Sequence, residues 1–199
     1  MRDDVFKIQV KDHGLIDRFL FGYLIHPVID FFYNYGFIPN HLTTFSFLFQ
    51  IIGVYYLHLY NIPLFSIYYF IGYYFDCLDG PMARKYDMVT VFGDWYDHIT
   101  DVSCYILTNY ILISQYNFLN YPVLVAIDLL MLTGLTCYAG CQETIYNKGL
   151  TNPEKISGTL YATTYFISDE EKTIKKLVIF CYTNYVLYMC LLPFLLSYF

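Results

Sequence analysis

Between residue 42 and residue 199 the chain carries one apolar run after another, each close to the length that crosses a lipid bilayer. A helix rises about 1.5 Å per residue and the hydrocarbon core is about 30 Å thick, so about 20 mostly apolar residues make a span. Five segments meet that length: 42–60, 62–78, 94–116, 121–141 and 177–199. A soluble domain of 199 residues could not bury so much apolar surface, since 57% of the residues are hydrophobic and only 14% charged, against about 25% charged in an average soluble domain. Aromatic residues reach 22%, nearly all Tyr and Phe, and such rings suit a boundary where one end is apolar and the other wet. The expected fold is all-α: a single polytopic membrane helix bundle over residues 1–199, with five to six transmembrane helices.

The basic residues orient the spans. All eleven lie before the first span, between spans two and three, or between spans four and five. Five spans with a cytoplasmic N-terminus satisfy this pattern and put the loop around Arg84 and Lys85 in the cytoplasm. Segment 15–37 is apolar but interrupted by Asp17, Arg18 and Asp30, which favours an amphipathic helix lying in the interface. Residues 1–41 are thus read as an interfacial segment and 42–199 as the transmembrane bundle; a sixth span in 15–37 is the alternative. The polar stretch 142–176 is expected to be a cytoplasmic loop with some helix. A net charge of −6 without a basic stripe excludes nucleic acid as a partner. The six cysteines lie in or beside apolar segments without metal-ligand spacing, so they read as small core residues.

Where span two meets span three, the acidic residues fall into a pattern. Asp76 and Asp79 are three apart, and Asp97 and Asp101 four apart; on a helix either spacing puts both carboxylates on one face. The two spans run in opposite directions, so the pairs can face each other at one depth. An Asp at the centre of a membrane helix costs about 2.5–3.5 kcal/mol. Nearer the interface the cost is smaller, but four like charges add mutual repulsion. Arg84 is the one nearby cation. Two hard divalent ions, Mg²⁺ or Mn²⁺, would balance four carboxylates and leave positive field for a bound diphosphate. Asp128 lies inside span four, far from this cluster in depth, where a functional acid and a neutral helix contact are equally consistent with the sequence.

In full, the pattern is Asp76-x-x-Asp79-Gly80-x-x-Ala83-Arg84, eight intervening residues, then Gly93-x-x-x-Asp97-x-x-x-Asp101. It resembles the signature of the CDP-alcohol phosphatidyltransferase family at all eight defining positions. Upstream, Pro39-Asn40-His41-Leu42-Thr43 looks like the opener often found before that family's first span. The resemblance implies that Asp76, Asp79, Asp97 and Asp101 hold two divalent metal ions that clamp the diphosphate of a CDP-linked donor. It implies that Gly80 and Ala83 let the nucleotide approach the backbone, that Arg84 hydrogen-bonds the donor, and that Asp101 is the general base. It also implies a homodimer. Asp94 after Gly93 and His98 after Asp97 resemble the choline and ethanolamine phosphotransferase branch, where His98 could share or assume the base role. Those enzymes are longer, whereas the family's small members mostly join CDP-diacylglycerol to a small polar acceptor. The scarcity of basic residues near the motif favours a neutral alcohol acceptor, either diacylglycerol or inositol. Against the enzyme stand a non-catalytic lipid- or nucleotide-binding membrane protein, which the intact set of eight signature positions speaks against, and a divalent-cation carrier, which has no need of Gly80, Ala83 and Arg84 at fixed spacing.

Overall fold

A computed structural model describes residues 5–8, 13–148, 161–164, 167 and 169–198, and among these it contains helices and no strand. The order is α1 (Leu15–Phe19), a π-helical turn, α2 (Ile25–Asn34), α3 (Pro39–His58), α4 (Ile62–Lys85), α5 (Val91–Gln115), α6 (Pro122–Lys148), α7 (Glu170–Leu177) and α8 (Tyr182–Tyr198). The fold is an all-helical membrane bundle, and each of the five expected spans corresponds to one of its long helices. Two helices are long and apolar enough to cross a membrane by composition alone: α6 and the run Glu170–Tyr198. A third qualifies if α2 and α3, bent by 113°, are counted together. Tyrosines and acidic residues lower the hydropathy of α4 and α5, the two helices that carry the signature.

The bundle is organised around α3, on which both α4 and α5 pack most extensively. Two glycines allow this. A Cβ on Gly53 of α3 would lie 3.1 Å from the Tyr69 amide nitrogen, and one on Gly72 of α4 would lie 2.9 Å from the Ser46 carbonyl oxygen. Small residues at a helix–helix contact let the backbones approach closely, the usual route to tight packing in lipid. Around this contact Leu42, Leu57, Phe65, Leu78 and Met82 are fully buried.

α2 turns into α3 through Gly36, whose φ of +81° is open to glycine at no steric cost, and Pro39 starts α3 at a position that needs no N–H. The 113° bend lays α2 nearly across the direction of α3, the geometry of a helix along an interface beside one that enters the bilayer. Ile25 and Ile29 face inward from α2, while Phe31, Tyr33 and Tyr35 are exposed.

Asp17, one of the charges that interrupt the apolar segment 15–37, is buried. Its carboxylate accepts a hydrogen bond from the Tyr73 hydroxyl at 3.0 Å and another from the Thr183 hydroxyl. Three elements, α1, α4 and α8, meet on that one group. Asp30 in turn accepts from Lys85 and from the Tyr86 hydroxyl. Burial raises the Asp30 pKa, and these two hydrogen bonds more than reverse that, leaving the carboxyl below its ordinary value.

One expectation needs correction. α4 does not stop at residue 78 but continues to Lys85, so Arg84 and Lys85 lie on the helix and not in a loop. Its last turns stay helical because Leu78, Asp79, Pro81 and Met82 form a buried face. α6 runs to Lys148 and so supplies some of the helix expected within the polar stretch 142–176. Gln142, Glu143 and Thr144 are buried there, so their polarity faces the protein interior and not water. Of the rest of 142–176, residues 149–160, 165, 166 and 168 lie outside the described residues.

The α3–α4 contact yields a direct test. Replacing Gly72 by alanine forces a methyl group against backbone atoms that cannot rotate away, a cost of about 1–3 kcal/mol. Gly72→Ala should therefore lower the thermal midpoint of the detergent-solubilised protein, and an unchanged midpoint would contradict the close packing of these two helices.

Candidate active site

The C-terminal end of α4 and the N-terminal end of α5 meet over the start of α3. Thr90 caps α5 in extended geometry, its hydroxyl accepting from the Gly93 amide at 3.0 Å. This cap sets the entry of α5 so that Asp97 and Asp101 turn toward Asp76. The three residues offer carboxylate oxygens that all lie within 4.8 Å of one another. Opposite ligands around Mg²⁺ lie about 4.2 Å apart, because each metal–oxygen bond is about 2.0–2.1 Å. The group therefore needs only a slight inward rotation to close on one hard cation.

Asp79 stands outside this trio. Its Oδ2 accepts from the Thr43 hydroxyl at 2.6 Å and its carboxylate is almost fully buried. Asp76, Asp97 and Asp101 thus make the tightest group, and Asp79 lines one space with all three. Asp79 and Asp97 also line another cavity together, so the fourth carboxylate borders the trio's surroundings.

Among the described residues no Lys or Arg forms an ion pair with any of these four aspartates. Asp97 Oδ1 is buried without a hydrogen-bond partner, and its Oδ2 lies 3.6 Å from Nδ1 of His98. A buried carboxylate oxygen without a donor costs about 1–3 kcal/mol or more. Three carboxylates held together at that cost are the donor set a hard divalent cation prefers, so these residues fit a metal.

Two kinds of cavity adjoin the trio. One, of about 620 Å³, is lined by Gly80, Ala83, Arg84, Gly93 and Asp97 from the signature and by Pro39, Asn40 and Thr43 from the upstream opener. The other, of about 930 Å³, has Asp76, His98 and Asp101 at its wall and is otherwise lined mostly by tyrosines and aliphatic residues, including Tyr69, Tyr105, Leu132, Leu135 and Val186. A third space of about 770 Å³ contains all four aspartates together with His98, Arg84 and Gln142. The carboxylates therefore sit where a polar hollow meets an apolar one.

Arg84 lines the polar cavity and is held by its own partners. Its Nε donates to the Val5 carbonyl at 2.7 Å, and the group lies 5.9 Å from the centre of the Tyr146 ring. The two terminal nitrogens lie beside Gly80, each 3.1 Å from where a Cβ would be; a larger residue there would push them aside. Gly80, Ala83 and Arg84 all line the polar cavity.

Lys85 is occupied by Asp30, away from the site. Asp128 is buried and accepts from the Tyr105 hydroxyl at 3.0 Å, which makes it a helix–helix contact between α5 and α6. His41 and His58 are exposed at helix ends; Nδ1 of His41 accepts from the Ile38 amide.

Sequence reasoning missed three participants. Asn40 and Thr43 stood in the opener segment, which was the available signal, but no role was drawn from it. Lys7 lines the polar cavity, and nothing in its local sequence announced that. Burial and then the nearby Arg84 lower its ammonium pKa, while Glu143, Asp94 and Asp97 pull it back up.

Comparison with known proteins gives a family. A family model described as CDP-alcohol phosphatidyltransferase matches residues 36–195. An uncharacterized protein of Aquifex aeolicus (strain VF5) is 32% identical over 78 residues, which is 39% of this chain and 40% of that relative. No solved structure gives a significant match.

The trio carries its own test. A ligand that binds only the folded state at about 100 times its dissociation constant stabilises by about 2.7 kcal/mol. Millimolar Mg²⁺ or Mn²⁺ should therefore raise the thermal midpoint of the protein by several degrees, reversibly on chelation. Asp97→Asn should remove most of that rise, whereas Asp128→Asn should retain it. An equal response in Asp97→Asn and wild type would rule out the trio as the metal site.

Proposed function

The chain belongs to the CDP-alcohol phosphatidyltransferase family, and from that premise we propose that it transfers a substituted phosphate group from a CDP-activated donor, CDP-diacylglycerol or CDP-choline/ethanolamine, to an alcohol, releasing CMP. The observation that carries this reading is the meeting of a signature-lined polar cavity and a tyrosine-rich apolar one at the carboxylates. A reaction joining a nucleotide-bound phosphate to a membrane lipid needs both environments within bonding distance of one point.

The donor's CDP occupies the polar cavity. Gly80 and Ala83 admit it close to α4, and the terminal nitrogens of Arg84 bond its phosphate oxygens, charge-assisted contacts that also orient it. Asp76, Asp79, Asp97 and Asp101 would hold two divalent ions, Mg²⁺ or Mn²⁺, which when bound supply Lewis-acid polarisation of the phosphoryl oxygens. Thr43 fixes the Asp79 carboxylate in its rotamer.

The acceptor hydroxyl approaches from the apolar cavity, where Asp101 and His98 lie on the wall. One of these side chains takes the hydroxyl proton as general base. The acceptor oxygen then forms a bond to the phosphorus distal to cytidine. The bond from that phosphorus to the bridging oxygen breaks, and CMP leaves with the electron pair. Among the described residues no Lys or Arg lines the apolar cavity, which favours a neutral, lipid-like alcohol over a phosphorylated one. By the distribution of basic residues the site opens to the cytoplasm of a multi-pass bundle, and the resemblance adds a homodimer.

Purified protein in lipid with Mg²⁺, each CDP-linked donor in turn and a neutral alcohol should liberate CMP. General bases contribute about 10²–10⁴-fold, so Asp101→Asn should lower turnover by at least about a hundredfold. Because Asp101 also belongs to the metal trio, the same variant should need more Mg²⁺. Metal-dependent nucleotide binding without CMP release would instead mark a non-catalytic binding protein, and metal flux into vesicles without donor would mark a carrier.

A further inference from the structure

Residues 5–8 run beneath the end of α4, upstream of the region that matches the family model, residues 36–195. They are held there by their neighbours. Val5 and Phe6 are buried in the main core cluster, and Ile8 is buried in a second cluster with Tyr138, Ile174 and Cys181. The Phe6 ring meets the ring of His26 edge-on at 5.5 Å. The Val5 carbonyl accepts the hydrogen bond from Arg84 Nε. With both flanking residues anchored, the side chain of Lys7 is directed into the hollow between α4 and α5.

Lys7 borders two of the spaces around the aspartates. In one it faces Asp79, Gly80, Arg84 and Asp97; in the other it shares the wall with Arg84, Asp76 and Asp101. It is only partly buried, so its ammonium remains reachable from the hollow. Two cations, Lys7 and Arg84, thus line the same polar cavity from two different parts of the chain. A cation placed beside Arg84 repels it, and the pair becomes favourable when an anion lies between them.

We propose that Lys7 is a substrate-binding residue that contacts a phosphate group in the polar cavity, with the segment 5–8 serving as the strap that presents it. The inference rests on the transferase reading. With the neutral acceptor favoured above, the phosphate is that of the CDP-linked donor; a phosphorylated alcohol presents the same anionic oxygens, and the titration below separates the two sources. Lysine acts here as a point charge, whereas Arg84 supplies the planar fork.

Full-length protein in detergent with Mg²⁺ is titrated calorimetrically with CDP, with cytidine and with glycerol phosphate, as wild type, Lys7→Met and Lys7→Arg. A hydrogen bond to a charged group is worth enough that its loss weakens binding by about tenfold or more. If the phosphate is the donor's, Lys7→Met binds CDP at least about tenfold more weakly, binds cytidine unchanged, and Lys7→Arg recovers most of the loss. If it is the acceptor's, the tenfold loss falls on glycerol phosphate and CDP is unaffected. Either result supports the assignment. Equal affinities of wild type and Lys7→Met for both phosphate ligands overturn it and leave the transferase reading standing. A parallel loss of cytidine binding also overturns it, because a lost phosphate contact cannot weaken the bare nucleoside. Should Lys7→Met not fold, Lys7→Gln takes its place in the same titration. Failure of wild type to bind CDP at all sinks the transferase reading and this inference with it.

Discussion

Everything in this bundle answers to the repulsion among carboxylates gathered at one end of α4 and α5. Like charges that close, in a region drawn away from water, do not collect without compensation. The chain supplies little of it: Arg84 spends one nitrogen on the Val5 carbonyl, Lys85 is taken by Asp30, and Lys7 borders the hollow without an ion pair to these aspartates among the described residues. Thr43 and the Gly80 amide donate to Asp79 alone. The deficit falls on Asp76, Asp97 and Asp101, and a divalent cation is the species that removes it most completely.

The rest of the fold follows from holding that arrangement in place. α3 acts as the common support, since both acidic helices pack on it. Gly53 and Gly72 bring α3 and α4 into backbone contact, and Thr43 on α3 reaches across to Asp79. The buried Asp17, bonded by Tyr73 and Thr183, ties the N-terminal helix and α8 to α4. Tyr73 also lines the apolar cavity, so the same tyrosine that closes the scaffold shapes the chamber beside the aspartates.

Much of this was readable from the residues because it obeys local rules. Helical spacing put Asp97 and Asp101 on one face, and apolar runs of membrane length marked five long helices. The family resemblance, carried by eight positions in order, pointed to the same chemistry. What resisted reading was non-local. Polar residues such as Asp17 and Glu143 look like interface or loop until a partner from another helix buries them. The polar turn at Gln142–Thr144 lengthened α6 for the same reason. Asp79 left the carboxylate group because Thr43, far upstream, offered it a hydrogen bond. Lys7 reaches the hollow only because Val5, Phe6 and Ile8 are buried around it, and no spacing rule encodes that.

The most direct measurement is anomalous scattering from crystals of the protein grown with Mn²⁺. An anomalous peak is expected within bonding distance, about 2.0–2.4 Å, of carboxylate oxygens from Asp76, Asp97 and Asp101 together. Crystals with well-ordered α4 and α5, saturating Mn²⁺ and no peak among these three side chains would contradict it.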